Sequence, residues 1–322
     1  METKAITIVG MDRIGASLGL ALKQAFPHLT FIGHDDDRQR VEAAKKLGAV
    51  DRVEANLLSA CSEADIVVLN VSVSELKVTL QIIGGDLQEH ALVLDLSLLK
   101  SVGLKWASQY VERGHYVGVR PILAADFLGD SRSGLDAASP DLFRNSVFCI
   151  MAGANIDPQA VETAINVGRS LGATPYFLDA AEFDGLVQSV ETLPRLVAAA
   201  LFNTVHKASG WRDTLRFTDL TFAQATALAR DSEEVAALAL YDKVTTMHWL
   251  DSLIAELHEV KRWLHRDEAE ALPAILDAIS LEREKWLHER RKNDWIEIPS
   301  EDIQRPSLLG GLLGRRQRKD ED

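Results

Sequence analysis

The residues Val9-Gly10-Met11-Asp12-Arg13-Ile14-Gly15 join an apolar, β-prone run, Ala5–Val9, to a stretch of helical character, Arg13–Ala25. Glycine at the first and last positions of such a turn permits a tight bend and close packing of the helix on the strand. A strand, a glycine-rich turn and a helix in this order are typical of a site where backbone amides at a helix N-terminus hold a dinucleotide pyrophosphate.

The middle position of the turn, where a second glycine is expected, is Asp12, and two interpretations are open. Its carboxylate can cap the helix by accepting from the free amides of the first turn, which are the amides that a pyrophosphate would use. Two like charges about 4 Å apart repel by roughly 1 kcal/mol in water and roughly 4 kcal/mol at an effective dielectric of 20. Alternatively, Arg13 offsets the charge and a dinucleotide binds. The candidate cofactor contacts in the turn are Gly10, Asp12, Arg13, Ile14 and Gly15.

Asp35 follows the second apolar run, residues 30–33, about twenty residues beyond the turn. A carboxylate there can accept both ribose hydroxyls of a dinucleotide, which favours NAD over NADP. Ser72, directly after the apolar run of residues 65–71, is a further candidate cofactor contact. The sequence therefore predicts NAD as the cofactor.

The first half of the chain alternates short apolar runs with amphipathic helical stretches. Continuous apolar runs of this length are typical of parallel strands that are covered on both faces. The later runs are residues 65–71, 91–96, 116–118, 147–151 and 175–178. We therefore predict an α/β fold, with a Rossmann-type parallel-sheet domain over residues 1–179.

From residue 180 to 294 the sequence is rich in helical patterns and has almost no strand signal. Asp231 and Glu234 fit a capping box that opens a long helix. We expect an all-helical second domain that forms a homodimer, although helices that pack only within their own domain give the same pattern. Residues 295–322 contain prolines, glycines and clustered charges, and we predict a disordered tail.

The composition limits the possible functions. The formal net charge of −13 disfavours nucleic-acid binding, and no apolar run approaches the roughly twenty residues of a membrane span. None of the nine histidines has zinc-site spacing, so we expect no metal. Cys61 and Cys149 lie in separate apolar stretches, which indicates two buried free thiols. Together with an N-terminus that lacks signal-peptide features, they favour a cytoplasmic protein.

Five further motifs, in chain order, resemble the prephenate dehydrogenase family. Residues 10–22 fit G-x-G-x-x-G-x-S-L-x-x-A-L apart from Asp12, and residues 95–100 resemble D-x-x-S-x-K. Residues 117–121 resemble V-G-G-H-P, residues 191–195 S-H-L-P-H, and residues 210–216 G-F-R-D-x-T-R. The resemblance implies a helical, dimer-forming second domain. It also implies NAD(P)-dependent oxidative decarboxylation of prephenate to 4-hydroxyphenylpyruvate, a step of tyrosine and hence aromatic amino acid biosynthesis.

In that family a histidine accepts the ring-hydroxyl proton, a serine and a second histidine hold the substrate, and an arginine binds a substrate carboxylate. This sequence departs from the pattern at most of those positions. Arg120 stands at the V-G-G-H-P histidine and Leu98 at the serine, with Ser97 one residue earlier. Thr192 and Arg195 stand at the S-H-L-P-H histidines.

Lys100 and Arg216 keep the family's residue type, and several residues are inserted between Pro121 and Gly134. The resemblance therefore makes Lys100, Ser97 and Arg120 the candidate catalytic residues. It makes Arg216, Thr192 and Arg195 the candidate contacts to a small anionic substrate.

Arg120 cannot act as a general base because a guanidinium stays protonated, and loss of a positioned acid–base group costs about 10²–10⁴ in rate. The arginines suit a di-anionic ligand through bidentate contacts, or they form surface ion pairs. Three functions stay open. They are a prephenate dehydrogenase with a rearranged acid–base group, a non-catalytic binding or regulatory homologue, and a dehydrogenase of another small anionic substrate.

Overall fold

The computed structural model describes residues 3–130, 132–265 and 271–292. They form two compact units. The first extends to Ala180 and includes the end of the last helix from Arg283, and the second is Ala181–Glu282. The tail predicted for residues 295–322 lies outside the described part of the chain.

The first unit contains an eight-stranded sheet in the order β3-β2-β1-β4-β5-β6-β7-β8. The strands are β1 Ala5–Val9, β2 Thr30–His34, β3 Arg52–Val53, β4 Ile66–Leu69, β5 Leu92–Asp95, β6 His115–Pro121, β7 Val147–Ala152 and β8 Thr174–Phe177. The strand order reverses between β1 and β4, and ligands of doubly wound sheets bind at such a switch point, beyond the carboxyl ends of the strands. The predicted α/β class is confirmed.

Two strands depart from the predicted parallel arrangement. β7 pairs antiparallel to β6, with Val119 opposite Ile150, and β8 pairs parallel to β7. A parallel pairing needs a crossover connection, usually through a helix. In the connection between β6 and β7, the described residues 122–130 and 132–146 carry two short 3₁₀ turns, Ala125–Phe127 and Leu135–Ala137, and no α-helix. The chain therefore returns along the neighbouring strand in the opposite direction.

Helices of the first unit follow most strands, and the apolar core lies between them and the sheet. These helices are α1 Arg13–Ala25, α2 Arg38–Leu47, α3 Leu57–Cys61, α4 Val73–Ile83, α5 Lys100–Tyr110 and α6 Pro158–Ser170. Every residue of β4 and β5 is buried, as their apolar residues predict, and the charged Asp95 at the end of β5 is buried with them.

The second unit is helical, as predicted. Its helices are α7 Ala180–Val187, α8 Leu193–His206, α9 Trp211–Thr214, α10 Leu220–Thr226, α11 Ser232–Tyr241, α12 Lys243–His265 and α13 Ala271–Lys292, of which α13 continues into the first unit. One turn of π-helix, Gln188–Thr192, joins α7 to α8.

The capping box predicted at Asp231 is wrong. Asp231 has a left-handed backbone with φ of 54° and makes no side-chain cap hydrogen bond. A capping residue needs an extended backbone to aim its carboxylate at the first-turn amides.

Large apolar side chains are exposed on the second unit. Those more than 60% exposed include Val190 (67%), Phe217 (83%), Leu220 (64%), Leu240 (61%), Val244 (83%) and Met247 (61%). Where such side chains adjoin in one large patch, the patch usually marks an interaction site. Among the helices of the described ranges, none has the length and apolar character needed to cross a membrane.

Candidate functional site

The glycine turn lies at the switch point of the sheet, between the ends of β1 and β4. Gly10 has φ of +87°, and a Cβ there would lie 2.1 Å from the carbonyl oxygen of Asn70. A Cβ on Gly15 would lie 2.0 Å from the carbonyl oxygen of Gly10. Both glycines are therefore required by the close packing of α1 against the strand ends.

The carboxylate of Asp12 caps α1. Its Oδ1 accepts hydrogen bonds from Ile14 N at 2.8 Å and Gly15 N at 3.0 Å. The side-chain amide of Asn70, which follows β4, donates to the same oxygen at 2.7 Å. The cap interpretation of Asp12 is confirmed. Asn70 was missed, because it lies inside the run of residues 65–71 and no motif marks it.

A pyrophosphate at this turn would need the amides of Ile14 and Gly15, and both already donate to Asp12. The turn in this arrangement therefore does not fit the pyrophosphate of a dinucleotide, and we assign no chemical step to a cofactor held there.

Arg13 points away from the turn and into the β6–β7 connection. Its guanidinium is 9% exposed and contacts Asp130 Oδ2 at 3.0 Å. It also donates to the carbonyl oxygens of Arg132 at 2.6 Å and Ala137 at 3.0 Å, and it lies over the Phe127 ring. The expectation that Arg13 offsets the charge of Asp12 is not met, because the guanidinium of Arg13 pairs with Asp130 instead.

Asp130 is the centre of this contact. Hydrogen bonds from Arg132, supported by the charge of Arg13, lower the pKa of the Asp130 carboxyl to about 2. A second contact follows one turn along α1, where Ser139 N donates to Ser17 Oγ at 3.0 Å. The 3₁₀ turn Leu135–Ala137 packs on both α1 and α2. The insertion between Pro121 and Gly134 therefore binds the first turn of α1.

The other two predicted cofactor contacts also have partners within the chain. Asp35 is 5% exposed in its side chain. It accepts from Met11 N at 2.7 Å and from Asp37 N at 2.8 Å. Ser72 caps α4 in a capping box with Glu75. Their roles toward a cofactor stay predictions.

Lys100 is fully buried at the start of α5, where that helix begins beside the end of β5. Its Nζ donates to the carbonyl oxygens of Asp95 at 2.7 Å and Ser97 at 2.5 Å, and lies 3.3 Å from Asp95 Oδ2. Lys100 has 0% relative exposure. An ammonium that is enclosed in this way is a structural group, and its position argues against proton transfer to a ligand.

Asp95 is the acceptor for the rest of this buried cluster. Tyr116 Oη donates to Asp95 Oδ2 at 2.8 Å, and Ser97 donates through both its amide and its hydroxyl. A Cβ on Gly103 would lie 2.5 Å from Tyr116 Oη, so this helix position has to be small. Ser97, proposed from sequence as a catalytic candidate, is committed to Asp95 and is 2% exposed.

Arg120 lies at the end of β6 and is half-buried. One guanidinium nitrogen donates to the carbonyl oxygen of Leu96 at 3.1 Å. Over the described ranges the guanidinium has no carboxylate partner. Leu98, which the sequence resemblance predicts to stand at the family's serine, is 8% exposed and offers no polar group. This edge of the sheet therefore carries a positive charge that an anion can neutralise.

Cys149 pairs with Arg120 across β6 and β7. Burial raises the pKa of its thiol to about 11, and that of the Cys61 thiol to about 12. Both cysteines are free and buried, so the prediction of two buried free thiols is confirmed.

The candidates in the second unit have three different environments. Thr192 is buried in the π turn, and its Oγ1 has no hydrogen-bond partner in the part of the chain that the structure describes. Arg195 pairs with Glu191 at 2.8 Å, one helical turn away. Arg216 is exposed, and over the same ranges its guanidinium has no ion-pair partner.

Within the described ranges, no cluster of three or more His, Cys, Asp or Glu residues is placed to hold a metal.

An α/β domain with a glycine turn at its switch point, joined to a helical unit, defines a dinucleotide-dehydrogenase type of architecture. Residues 18–176 match the nucleotide-binding domain of prephenate dehydrogenase, and residues 179–278 match its dimerization domain. The chain belongs to the prephenate dehydrogenase family. The first match begins after the glycine turn.

Individual relatives agree with this assignment. The chain is 28% identical to the prephenate dehydrogenase of Bacillus subtilis over 271 residues, which cover 83% of this chain and 72% of that protein. It is 22% identical to the cyclohexadienyl dehydrogenase of Zymomonas mobilis over 80% of this chain and 87% of that one. Prephenate dehydrogenase from Aquifex aeolicus, solved with hydroxyphenyl propionate and NAD+, superposes with a TM-score of 0.75 at 20% identity, over 88% of this chain and 99% of that one.

The buried cluster gives a test of whether Lys100 is structural. Lys100→Met leaves the Asp95 carboxylate buried without its cation. We expect the free energy of unfolding to fall by about 3–5 kcal/mol. Asp95→Asn combined with Lys100→Met removes both charges, and we expect it to recover much of that loss. Urea denaturation of the two single variants and the double variant measures the coupling. Additive effects would show that the two charges do not stabilise one another.

Proposed function

We propose that this protein binds a small anionic ligand and does not dehydrogenate prephenate. The observation that carries the proposal is Arg120 at the position of the family's catalytic histidine. A guanidinium cannot accept the proton that this reaction releases. Its contact with the carbonyl oxygen of Leu96 and its lack of a carboxylate partner within the described ranges suit the binding of an anion.

None of the residues Lys100, Ser97 and Leu98 supplies the missing base. Lys100 is enclosed by Asp95 and Ser97, and the Ser97 hydroxyl already donates to Asp95. Leu98 has no titratable group. The loss of one positioned acid–base group lowers a rate by about 10²–10⁴, so turnover of prephenate should be very slow even with a cofactor present.

The relatives favour an alternative, an NAD(P)-dependent dehydrogenase. The similarity to the Bacillus subtilis enzyme extends over 83% of the chain, and the Aquifex aeolicus protein binds NAD+. An enzyme of this class without the family's histidine would act on a different small anion, whose chemistry needs no base at position 120. NAD is then the expected cofactor, because Asp35 suits an unphosphorylated ribose.

A turnover assay separates these functions. Purified protein is mixed with prephenate and with NAD or NADP, and absorbance of the reduced nicotinamide is followed at neutral pH. We expect a rate at least about 10²-fold below that of the Bacillus subtilis prephenate dehydrogenase assayed alongside. Arg120→His alone should not restore that rate, since Leu98 and Thr192 also differ. Robust turnover by the wild-type protein would refute the proposal.

Arg216 corresponds to the family's arginine for a substrate carboxylate, and its guanidinium is exposed. We expect Arg216→Ala to weaken prephenate binding about 10- to 100-fold, because a charge-assisted hydrogen bond contributes about 1.5–3 kcal/mol. Arg212→Ala, which removes the same charge four residues earlier, is the matched control. Isothermal titration calorimetry measures the affinity of both variants for prephenate. Equal losses of affinity would show that Arg216 acts only through general electrostatic attraction, and would contradict a specific contact.

We also propose that the protein is a homodimer. Support comes from the match to the family's dimerization domain and from the exposed apolar side chains of the second unit. Sedimentation should give about 71 kDa, twice the 35.5 kDa of one chain. Val244→Glu should shift the protein toward the monomer, whereas Val78→Glu on α4, also an exposed valine, should not. A wild-type monomer at micromolar concentration contradicts this assignment.

A further inference from the structure

We propose that Asp12 is an internal substitute for the dinucleotide pyrophosphate and excludes NAD and NADP from the glycine turn of the wild-type protein. The proposal goes beyond the missing acid–base group, because a protein without that group can still bind the cofactor. It makes Asp12 the residue that determines which ligand class the first domain accepts.

Asp12 already occupies the amides that a dinucleotide pyrophosphate would need. Backbone amides at a helix N-terminus bind anions because they have no partner within the helix. Here Asp12 Oδ1 lies 2.8 Å from Ile14 N and 3.0 Å from Gly15 N. A pyrophosphate oxygen would need the same positions, so a dinucleotide has to displace the chain's own carboxylate before it can bind.

The carboxylate of Asp12 is held in place by a side-chain hydrogen bond. The side-chain amide of Asn70 donates to Asp12 Oδ1 at 2.7 Å and to the carbonyl oxygen of Gly10 at 3.1 Å. The Met11 amide, on the other side of the turn, donates to Asp35 at 2.7 Å. Turning Asp12 away would leave the Asn70 amide without one of its two acceptors. The turn is therefore complete without a ligand.

The charge of Asp12 is not balanced by the neighbouring Arg13. Arg13 is the cation nearest in sequence, and a guanidinium aimed at the turn would attract phosphate and screen Asp12. Its side chain instead lies in the β6–β7 connection, where it pairs with Asp130 at 3.0 Å and donates to three backbone carbonyls. The negative charge of Asp12 would therefore act directly on a pyrophosphate.

Direct binding of NAD, NADP and ADP-ribose to the full chain, measured by calorimetry, tests the proposal without depending on turnover. Two variants separate charge from occupancy. Asp12→Gly removes the carboxylate and frees both amides, and glycine is itself acceptable at an N-cap, so the variant should fold. Asp12→Asn removes only the charge, since its amide oxygen can still accept from Ile14 and Gly15.

Asp157→Gly is the matched control. Asp157 caps α6 in the same way, by accepting from Gln159 N at 2.8 Å. Because β7 runs antiparallel to β6, α6 begins at the opposite edge of the sheet from the glycine turn. The substitution therefore removes an equivalent capping carboxylate far from any dinucleotide.

We expect the wild-type protein and Asp157→Gly to show no saturable binding up to about 1 mM dinucleotide, the upper end of usual affinities. Asp12→Gly should bind NAD at least about tenfold more tightly than the wild-type protein, with Asp12→Asn between the two. Micromolar NAD binding by the wild-type protein would overturn the proposal, although the proposed lack of prephenate turnover could still hold. A folded Asp12→Gly protein that binds no better than wild type would also overturn it.

Discussion

The hydrogen bonds from the first-turn amides of α1 to Asp12 are the interaction on which the rest of this account depends. Gly10 and Gly15 bring α1 so close to the strand ends that any Cβ would meet backbone atoms. In a turn that tight, the free amides need an acceptor, and the chain provides its own. Asp12 supplies the acceptor that a ligand phosphate would otherwise supply. The strand, turn and helix of the family fold are therefore kept without a ligand.

Several cationic side chains that could bind an anionic ligand already form ion pairs within the chain. Arg13 pairs with Asp130, Lys100 with Asp95, and Arg195 with Glu191. Removal of one partner from a buried ion pair destabilises a protein by far more than an exposed ion pair stabilises it. The Lys100–Asp95 pair is fully buried, so Lys100 is held more firmly than Arg13 or Arg195. Within the described ranges, Arg120 and Arg216 have no such partner, and they remain the candidates for anion recognition.

Sequence predicted the elements of the fold better than the contacts of the site. The buried strands β4 and β5 follow from continuous apolar runs, and the tight turn follows from Gly10 and Gly15. The partners of the turn did not follow from any local pattern. Asn70 is 58 residues from Asp12, and Asp130 is 117 residues from Arg13. Likewise, the direction of β7 depends on the absence of a helix in its connection, which periodicity alone did not resolve.

The central claim is that the turn of residues 10–15 is completed by the protein and not by a cofactor. A crystal structure grown with NAD and prephenate tests this most directly. We predict that Asp12 Oδ1 stays within hydrogen-bond distance of the Ile14 and Gly15 amides, with density for the anion beside Arg120. A pyrophosphate on those two amides, with the Asp12 carboxylate turned away, would contradict the account.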